Sequence, residues 1–278
     1  MKSDVWLKTA ELKLNDCGIG TARLDALILL EDELGASRAS ILADAIEINS
    51  STLRSLNKKL ERRLKHEPMA YIRQKTEFFG REFYVDKRVL EPRPESETMI
   101  EALLGLHLPG KSVIADIGTG SGALAITSKL ELPAAQLLAV DIDEHCLDVA
   151  ALNCKKHNTK VEMFKGNLTK PLAGQKISVV LANLPYIPDT WQINEAARHE
   201  PKLAIYGGQD GLDLYRKFFE QIAMLEARPQ YIFTESLPFQ HKALSQIALK
   251  SKYSQAKTND FIQCFVCGST TARSYLIV

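Results

Sequence analysis

The chain has 278 residues, 45% of them hydrophobic, and its 35 basic and 34 acidic side chains leave a formal charge of +1. That length suits one large or two ordinary domains with a real apolar core, and the near-zero charge excludes an overall field able to hold a nucleic-acid backbone or an anionic membrane. No segment approaches the roughly eighteen consecutive apolar residues of a membrane span, and the opening MKSDVWLKTAELKLNDCG has no uninterrupted apolar stretch, so a soluble, cytoplasmic protein is expected.

Residues 1–75 read as a helical domain. Leu24, Leu27, Ile28 and Leu34 recur at three- and four-residue intervals after the candidate cap Thr21, and Gly35 supplies a stop. A second helix spans Ser51 to Lys65. Its basic run Arg54, Lys58, Lys59, Arg62, Arg63 and Lys65 has the spacing of a face for an acidic partner, but such runs on amphipathic helices are usually solvated, and that is the expectation here. Between Thr76 and Leu90 aromatic and branched residues around Gly80 predict a β-hairpin. EPRPESE, 91–97, follows as a stiff proline-rich join, so 76–97 is read as a linker.

The remainder, 98–278, changes period. KSVIADIG is a strand, Gly122 to Leu132 a helix ended by Pro133, QLLAVDID a strand, and Glu144 to His157 a helix. KVEMFKGN and ISVVLAN are the third and fourth strands. An amphipathic helix from Leu212 to Glu226, the strand YIFTES, a helix near Phe239 to Leu249 and the strand QCFVCG complete the series. Alternation of this kind predicts an α/β fold, a doubly wound, mostly parallel sheet covered on both faces. The five scattered cysteines suit a reducing compartment; Cys264 and Cys267 form a CxxC without a second ligand pair, so no metal site is expected.

The first strand of the series ends in Asp116, Ile117, Gly118, Thr119, Gly120, Ser121 and Gly122, and a helix follows at once. Glycines there let the backbone turn sharply and approach a ligand, while free amides at the helix start favour an anionic group, a pyrophosphate or an amino-acid carboxylate. Gly118, Gly120 and Ala123 also satisfy the dinucleotide fingerprint, with Asp141 placed to hold a ribose, so NAD remains open at this point. Asp116, two residues before the first glycine, is more typical of S-adenosylmethionine enzymes.

In a doubly wound sheet the carboxyl ends of the strands face the ligand crevice, which puts Asn183, Leu184, Pro185 and Tyr186 beside whatever the glycine loop holds. The Asn183 side-chain oxygen and the Leu184 carbonyl are two acceptors suited to both hydrogens of a planar NH2 group. Pro185 stiffens that backbone, and Tyr186 offers a flat face for an amide or base. A primary amide or exocyclic amine fits such a tetrad better than a hydride acceptor does, which tilts the balance from NAD to methyl transfer.

The glycine loop followed 67 residues later by Asn-x-Pro-Tyr resembles the amino-methylating class I S-adenosylmethionine methyltransferases, with their Rossmann-like sheet. Three more stretches are similar to those of the HemK/PrmC family, the protein-glutamine N5-methyltransferases of peptide chain release factors: HEPMAYI, FGREFYVDKRVLEPRPESE and EPKLAIYGGQDGLDLYR. The resemblance covers nearly the whole chain in the right order. It implies that Asp116, Gly118, Thr119, Gly120, Ser121, Gly122, Asp141, Ile142, Asn167 and Leu168 hold S-adenosylmethionine, with Asn183 shared between cofactor and substrate. Asn183, Leu184, Pro185 and Tyr186 would take the substrate glutamine, Leu90, Arg93 and Pro94 would close the pocket, and the helical domain would recognise the release factor. No membrane or direct nucleic-acid partner is expected.

Four positions depart from the family pattern. Leu184 replaces a proline, with a looser backbone expected there; Asn167 stands where an aspartate is common; Leu237 replaces a glycine; and the C-terminal CFVCGSTTARSYLIV lacks the usual arginine. The rival expectations are amino-methylation of an adenine or guanine, glutamine methylation of a ribosomal protein, an NAD enzyme and, least, a silent binding module.

Overall fold

The computed structural model describes residues 1–43 and 45–268. The C-terminal segment 269–278, which completes the last of those four departures, lies outside them. The chain divides into two compact units, one comprising Met1–Lys75 with Ile193–His199, the other Thr76–Gln192 with Glu200 onward.

Among the described residues five helices build the first unit: α1 Ser3–Asp16, α2 Ala22–Leu34, α3 Arg38–Ala43, α4 Ser50–Arg63 and α5 Met69–Arg73. Asn49 starts α4 by accepting the Ser51 and Thr52 amides at 3.0 and 2.9 Å, and Gly35 ends α2 at φ +61°, where a left-handed residue can close the last turn. The apolar face of α2 is Ala22, Ala26, Leu27, Leu29 and Leu30, while Leu24 lies exposed. Thr21 does not cap the helix amides. Its hydroxyl instead donates to Asp25 Oδ2 at 2.9 Å.

Much of the basic run on α4 is neither solvated nor free for a partner. Lys59 pairs with Glu33 at 2.7 Å, Arg62 with Glu67, and Arg63 Nε with Asp25 Oδ2 at 2.7 Å. Side chains of Arg63 and Asp25 retain only 12% and 6% of their exposure, so their attraction is little screened and each would be costly alone. Asp25→Ala, which strands the Arg63 guanidinium, should lower the unfolding free energy by about 3 kcal/mol, read from the midpoint of a urea titration.

In the second unit β1 Thr76–Phe78 and β2 Arg81–Phe83 form an antiparallel hairpin. Its turn residues Phe79 and Gly80 both have positive φ, +52° and +67°, the combination that matches strand twist in a two-residue loop. After α6 Glu97–Leu104 come β3 Val113–Ile117, α7 Ala123–Glu131, β4 Gln136–Asp141, α8 Glu144–Lys156, β5 Glu162–Lys165 and β6 Val179–Ala182. The rest is α9 Asp213–Met224, β7 Tyr231–Glu235, α10 His241–Lys250, β8 Tyr253–Asn259 and β9 Ile262–Cys267.

The sheet runs β5-β4-β3-β6-β7-β9-β8. Its first five strands are parallel, and β9 is antiparallel to both β7 and β8. One apolar cluster on a sheet face joins Ala115, Ile117, Leu138 and Val180 to Tyr215, Phe218 and Phe219 of α9; the other joins Ile114, Leu137, Val179 and Leu181 to Met99 and Ile100 of α6. Alternation of side-chain direction along each strand is what divides the residues between these faces. Strand order reverses between β3 and β6, which locates the ligand crevice at their carboxyl ends.

Strand β8 escapes the sequence pattern. Its residues YSQAKTN are polar and largely exposed, and a register shift between Gln255 and Lys257 breaks the alternation that would mark a strand. Cys264 and Cys267 sit three apart on β9, so they point to opposite faces of the sheet.

Candidate active site

A cavity opens at the carboxyl ends of β3 to β6. Gly118 and Gly120 line it from the first loop, Asp141, Ile142 and Asp143 from the second, Asn167 and Leu168 from the third, and Asn183, Leu184 and Pro185 from the fourth. Leu90 joins them from the proline-rich join. The remaining candidates, Asp116, Thr119, Ser121 and Gly122 at the glycine loop, Arg93 and Pro94 of the proline-rich join and Tyr186 of the tetrad, do not line it. Sequence reasoning missed Arg88 and Cys146 on the wall, and Pro201, Leu203 and Ala204, although the last three fall within the family-like stretch 200–216.

The glycine loop spends several of its amides internally. Gly118 and Thr119 both donate to the Val140 carbonyl, at 2.8 and 3.0 Å, and Gly120 donates to Asp141 Oδ2 at 2.9 Å. At the start of α7 the Ala125 amide is taken by Asp116 Oδ2 at 3.2 Å, which also accepts the Thr119 hydroxyl at 2.7 Å. No acceptor among the described residues takes the Ser121, Ala123 or Leu124 amides, so these stay available to a ligand anion at the helix start.

Charge at the wall narrows the choice of ligand. Asp141 and Asp143 face the cavity, and Arg88 is already bonded to Asp86 at 2.7 to 3.0 Å. An acidic wall repels a pyrophosphate and welcomes a sulfonium or ammonium group, so the residues fit S-adenosylmethionine and fit a dinucleotide poorly. Burial pushes the Asp141 carboxyl above the usual range, and its two bonds, from Gly120 and from the Asp143 amide at 3.0 Å, leave lone pairs for ribose hydroxyls. Cys146 donates to the Arg88 carbonyl, and burial beside Asp141 and Asp143 pushes its thiol up to about 12, so it is no nucleophile near neutrality.

At the tip of β6, Asn183 Nδ2 donates to Ser96 Oγ at 2.9 Å, and the Ser96 hydroxyl donates to Glu235 Oε2 at 2.6 Å. Glu235 Oε1 accepts the Tyr186 hydroxyl at 2.9 Å. No described group donates to Asn183 Oδ1 or to the Leu184 carbonyl, so both acceptors remain available at the wall. Burial drives the Glu235 carboxyl above the ordinary glutamate range, and burial beside Glu235 raises the Tyr186 phenol, which stays neutral. Neither Ser96 nor Glu235 stood among the sequence candidates. Their signals, the serine of EPRPESE and the acid ending YIFTES, carry meaning only once the two segments meet.

Behind the tetrad the approach is too close for side chains. A Cβ on Gly207 would lie 2.4 Å from the Pro185 carbonyl oxygen, and one on Gly211 would lie 2.1 Å from that of Tyr186. Gln240 Nε2 then donates to the Tyr186 and Asp210 carbonyls, both at 2.8 Å. Leu184, a departure from proline, regains an N–H, and the Tyr215 hydroxyl accepts it at 3.3 Å, so the backbone is tied rather than loosened. Leu237 sits at φ −67°, open to any residue, and no glycine is needed there. Asn167 lines the cavity with no side-chain hydrogen bond among the described residues. Arg93 reaches away from the wall to buried Glu200 at 2.5 Å, and Pro94 opens the short 3-10 turn that carries Ser96.

Residues 5–73 match the PrmC N-terminal domain model, and residues 94–186 match the model of ribosomal protein L11 methyltransferase (PrmA). A release factor glutamine methyltransferase of Coxiella burnetii is 40% identical over 195 residues, covering 69% of this chain and 70% of its own. One of Bacillus subtilis is 34% identical over 256 residues, 88% of each. The chain belongs to the release factor glutamine methyltransferase family. A methyltransferase from Pyrococcus furiosus shares its fold, with a TM-score of 0.50 at 21% identity over 69% of this chain and 91% of that one. In this family member the tetrad reads Asn-Leu-Pro-Tyr with both acceptors intact.

Asp116 gives the site a pH signature. Fully buried, with Oδ1 lacking any partner among the described residues, it is pushed up from 3.8 to about 7. The folded state thus binds a proton that the unfolded chain releases, and stability falls as pH rises through that interval. Asp116→Asn keeps an acceptor oxygen and cannot ionise. Its unfolding free energy relative to wild type, measured by urea titration at successive pH values, should improve steadily between pH about 4 and about 7; parallel profiles would show that Asp116 does not titrate there.

Proposed function

We propose that this chain transfers a methyl group from S-adenosylmethionine to the side-chain nitrogen of the glutamine in the Gly-Gly-Gln loop of peptide chain release factors, in the cytoplasm. The observation that carries this reading is the pair of uncommitted acceptors, Asn183 Oδ1 and the Leu184 carbonyl, at the wall of an acidic cavity. Family membership supports the substrate, and the acidic wall supports the cofactor. Asp141 would hold the ribose, Asn167 and Leu168 the adenine side, and the Gly118–Gly122 loop the remainder. When bound, S-adenosylmethionine supplies an activated methyl group on a positively charged sulfur.

The chain's own task is to prepare the nitrogen. A carboxamide lone pair is delocalised into its carbonyl and is a poor nucleophile. Two fixed acceptors that take both N–H bonds hold the amide in one orientation and meet the positive charge that develops on nitrogen during transfer. Gly207, Gly211 and Gln240 keep those acceptors from retreating, because the Pro185 and Tyr186 backbone has no space behind it. No strong base is required, since the nitrogen turns acidic as it is alkylated. Pro185 limits backbone freedom, Leu90 closes the cavity from the other side, Tyr186 braces the tip through Glu235, and Arg93 and Pro94 hold the proline-rich join in place through Glu200 and the 3-10 turn. The helical unit serves to recognise the release factor. Methylation of a base amine, the main rival, finds no support in the family comparisons.

Asn183→Ala should lower kcat by at least about 10²-fold, since one preorganised acceptor at a developing charge is lost. Calorimetric affinity for S-adenosylmethionine should stay near wild type. Label from S-adenosylmethionine should reach a release factor and not its Gly-Gly-Glu variant; equal loss of affinity and turnover in Asn183→Ala would remove the residue from this role.

A further inference from the structure

We propose that Ser96 and Glu235 are positioning residues that decide which end of the Asn183 carboxamide faces the methyl acceptor, and that they do so only while Glu235 carries its negative charge. The inference rests on the glutamine-methylating reading of the site and adds to it how the site is regulated.

A carboxamide is nearly symmetric in shape, with oxygen and NH2 of similar size on one planar fork. It presents its oxygen to a substrate only if its surroundings distinguish the two ends. At Asn183 the distinction comes from proton counting. Ser96, 3% exposed, owns one hydroxyl proton, and its Oγ lies 2.6 Å from Glu235 Oε2 and 2.9 Å from Asn183 Nδ2. An ionised carboxylate only accepts, so the serine proton is committed to Glu235 and Oγ can only accept in turn. Asn183 must then offer N–H to Ser96, which turns Oδ1 toward the cavity. The Tyr186 hydroxyl, 2.9 Å from Oε1, is likewise committed inward.

A proton on Glu235 reverses the chain. On Oε1 it would displace the Tyr186 proton, for which no second acceptor exists among the described residues. On Oε2 it donates to Ser96 Oγ, and the serine proton swings to Asn183, which satisfies it by turning its oxygen toward Ser96. NH2 then faces the cavity, a donor opposed to the donors of the substrate amide. Asn183 thereby converts the charge of Glu235, which it meets through Ser96 and by a weaker side-chain contact of its own, into acceptance or rejection of substrate.

The groups around Glu235 keep this proton within reach. Glu95 of the 3-10 turn adds negative charge nearby, Tyr186 and Tyr215 contribute neutral hydroxyls, and His241 at the start of α10 is turned to the Ser236 carbonyl at 3.3 Å. No Lys, Arg or His forms an ion pair with Glu235 among the described residues. Burial, followed by the charge of Glu95, raises its carboxyl above the ordinary glutamate range, so the active form is lost as pH falls through that raised value.

The test compares wild type, S96T and S96A in single-turnover transfer of labelled methyl to a release factor across the acid and neutral range. S96A should lose roughly 10²-fold in kcat with unchanged affinity for S-adenosylmethionine, and should lose the part of the acid limb due to Glu235. S96T, which restores the hydroxyl, should recover most of the kcat and that limb. Titrations of Asp116 and Asp141 persist in all three, so the difference between profiles isolates the relay. In parallel, the Asn183 side-chain NH2 resonances should move with pH in wild type and S96T and move clearly less in S96A, where only the weaker direct contact with Glu235 remains; the same spectra detect misfolding. Wild-type kcat or an unaltered acid limb in S96A would overturn the proposal, as would pH-independent Asn183 resonances in wild type. If wild type labels no release factor, the functional reading fails instead, and the resonance titration still decides the relay.

Discussion

The closeness with which the Pro185 and Tyr186 backbone is packed from behind is the constraint on which the site depends. Carbonyl oxygens within 2.4 Å of where side chains would begin at Gly207 and Gly211 leave that strand tip nowhere to move. The main chain that carries the acceptors, the Leu184 carbonyl above all, is consequently held in place before any substrate arrives. Preorganisation of this kind matters most where the nucleophile is weak, because a poor lone pair must be delivered in one orientation rather than sampled among many.

Electrostatics complete what packing begins. Buried carboxylates surround the site at Asp116, Asp141, Glu200 and Glu235, and burial raises each of them. They are stabilised by different means: Asp141 and Asp116 by loop and helix amides, Glu200 by Arg93, Glu235 by neutral hydroxyls. Where the compensating groups are amides and hydroxyls rather than full cations, net negative character survives at the cavity. That favours a cationic ligand and explains why a glycine loop that satisfies a dinucleotide fingerprint need not hold a phosphate.

How much was legible in the sequence differs by kind of signal. Strands β3, β4, β6 and β7 announce themselves as short apolar runs, since both faces of a central parallel strand are buried, and the tetrad follows directly from where β6 stops. Local chemistry read well for the same reason: Gly118, Gly120 and Asp141 act within a few residues of their own strand ends. Partners distant in sequence did not. Ser96 and Asn183 are 87 residues apart and Ser96 and Glu235 are 139 apart, and nothing in either segment names the other. The basic run on α4 misled in a similar way, because its carboxylates lie on α2 and beyond the helix end. Leu184 and Leu237 looked like defects against the family pattern. A hydroxyl from α9 and an ordinary backbone angle absorb them.

The polar β8 strand, invisible to pattern reading, has a consequence for how the molecule survives in a crowded solution. Unpaired main-chain groups along the rim of a sheet invite foreign chains to dock and extend it. Here the outermost strand on one side is studded with hydrophilic residues and kinked between Gln255 and Lys257, while β5 on the other is four residues long and ends in charge at Glu162 and Lys165. Neither margin offers a flat, greasy template, so the buried parallel strands are shielded from stacking with neighbours by the least sheet-like segments of the fold.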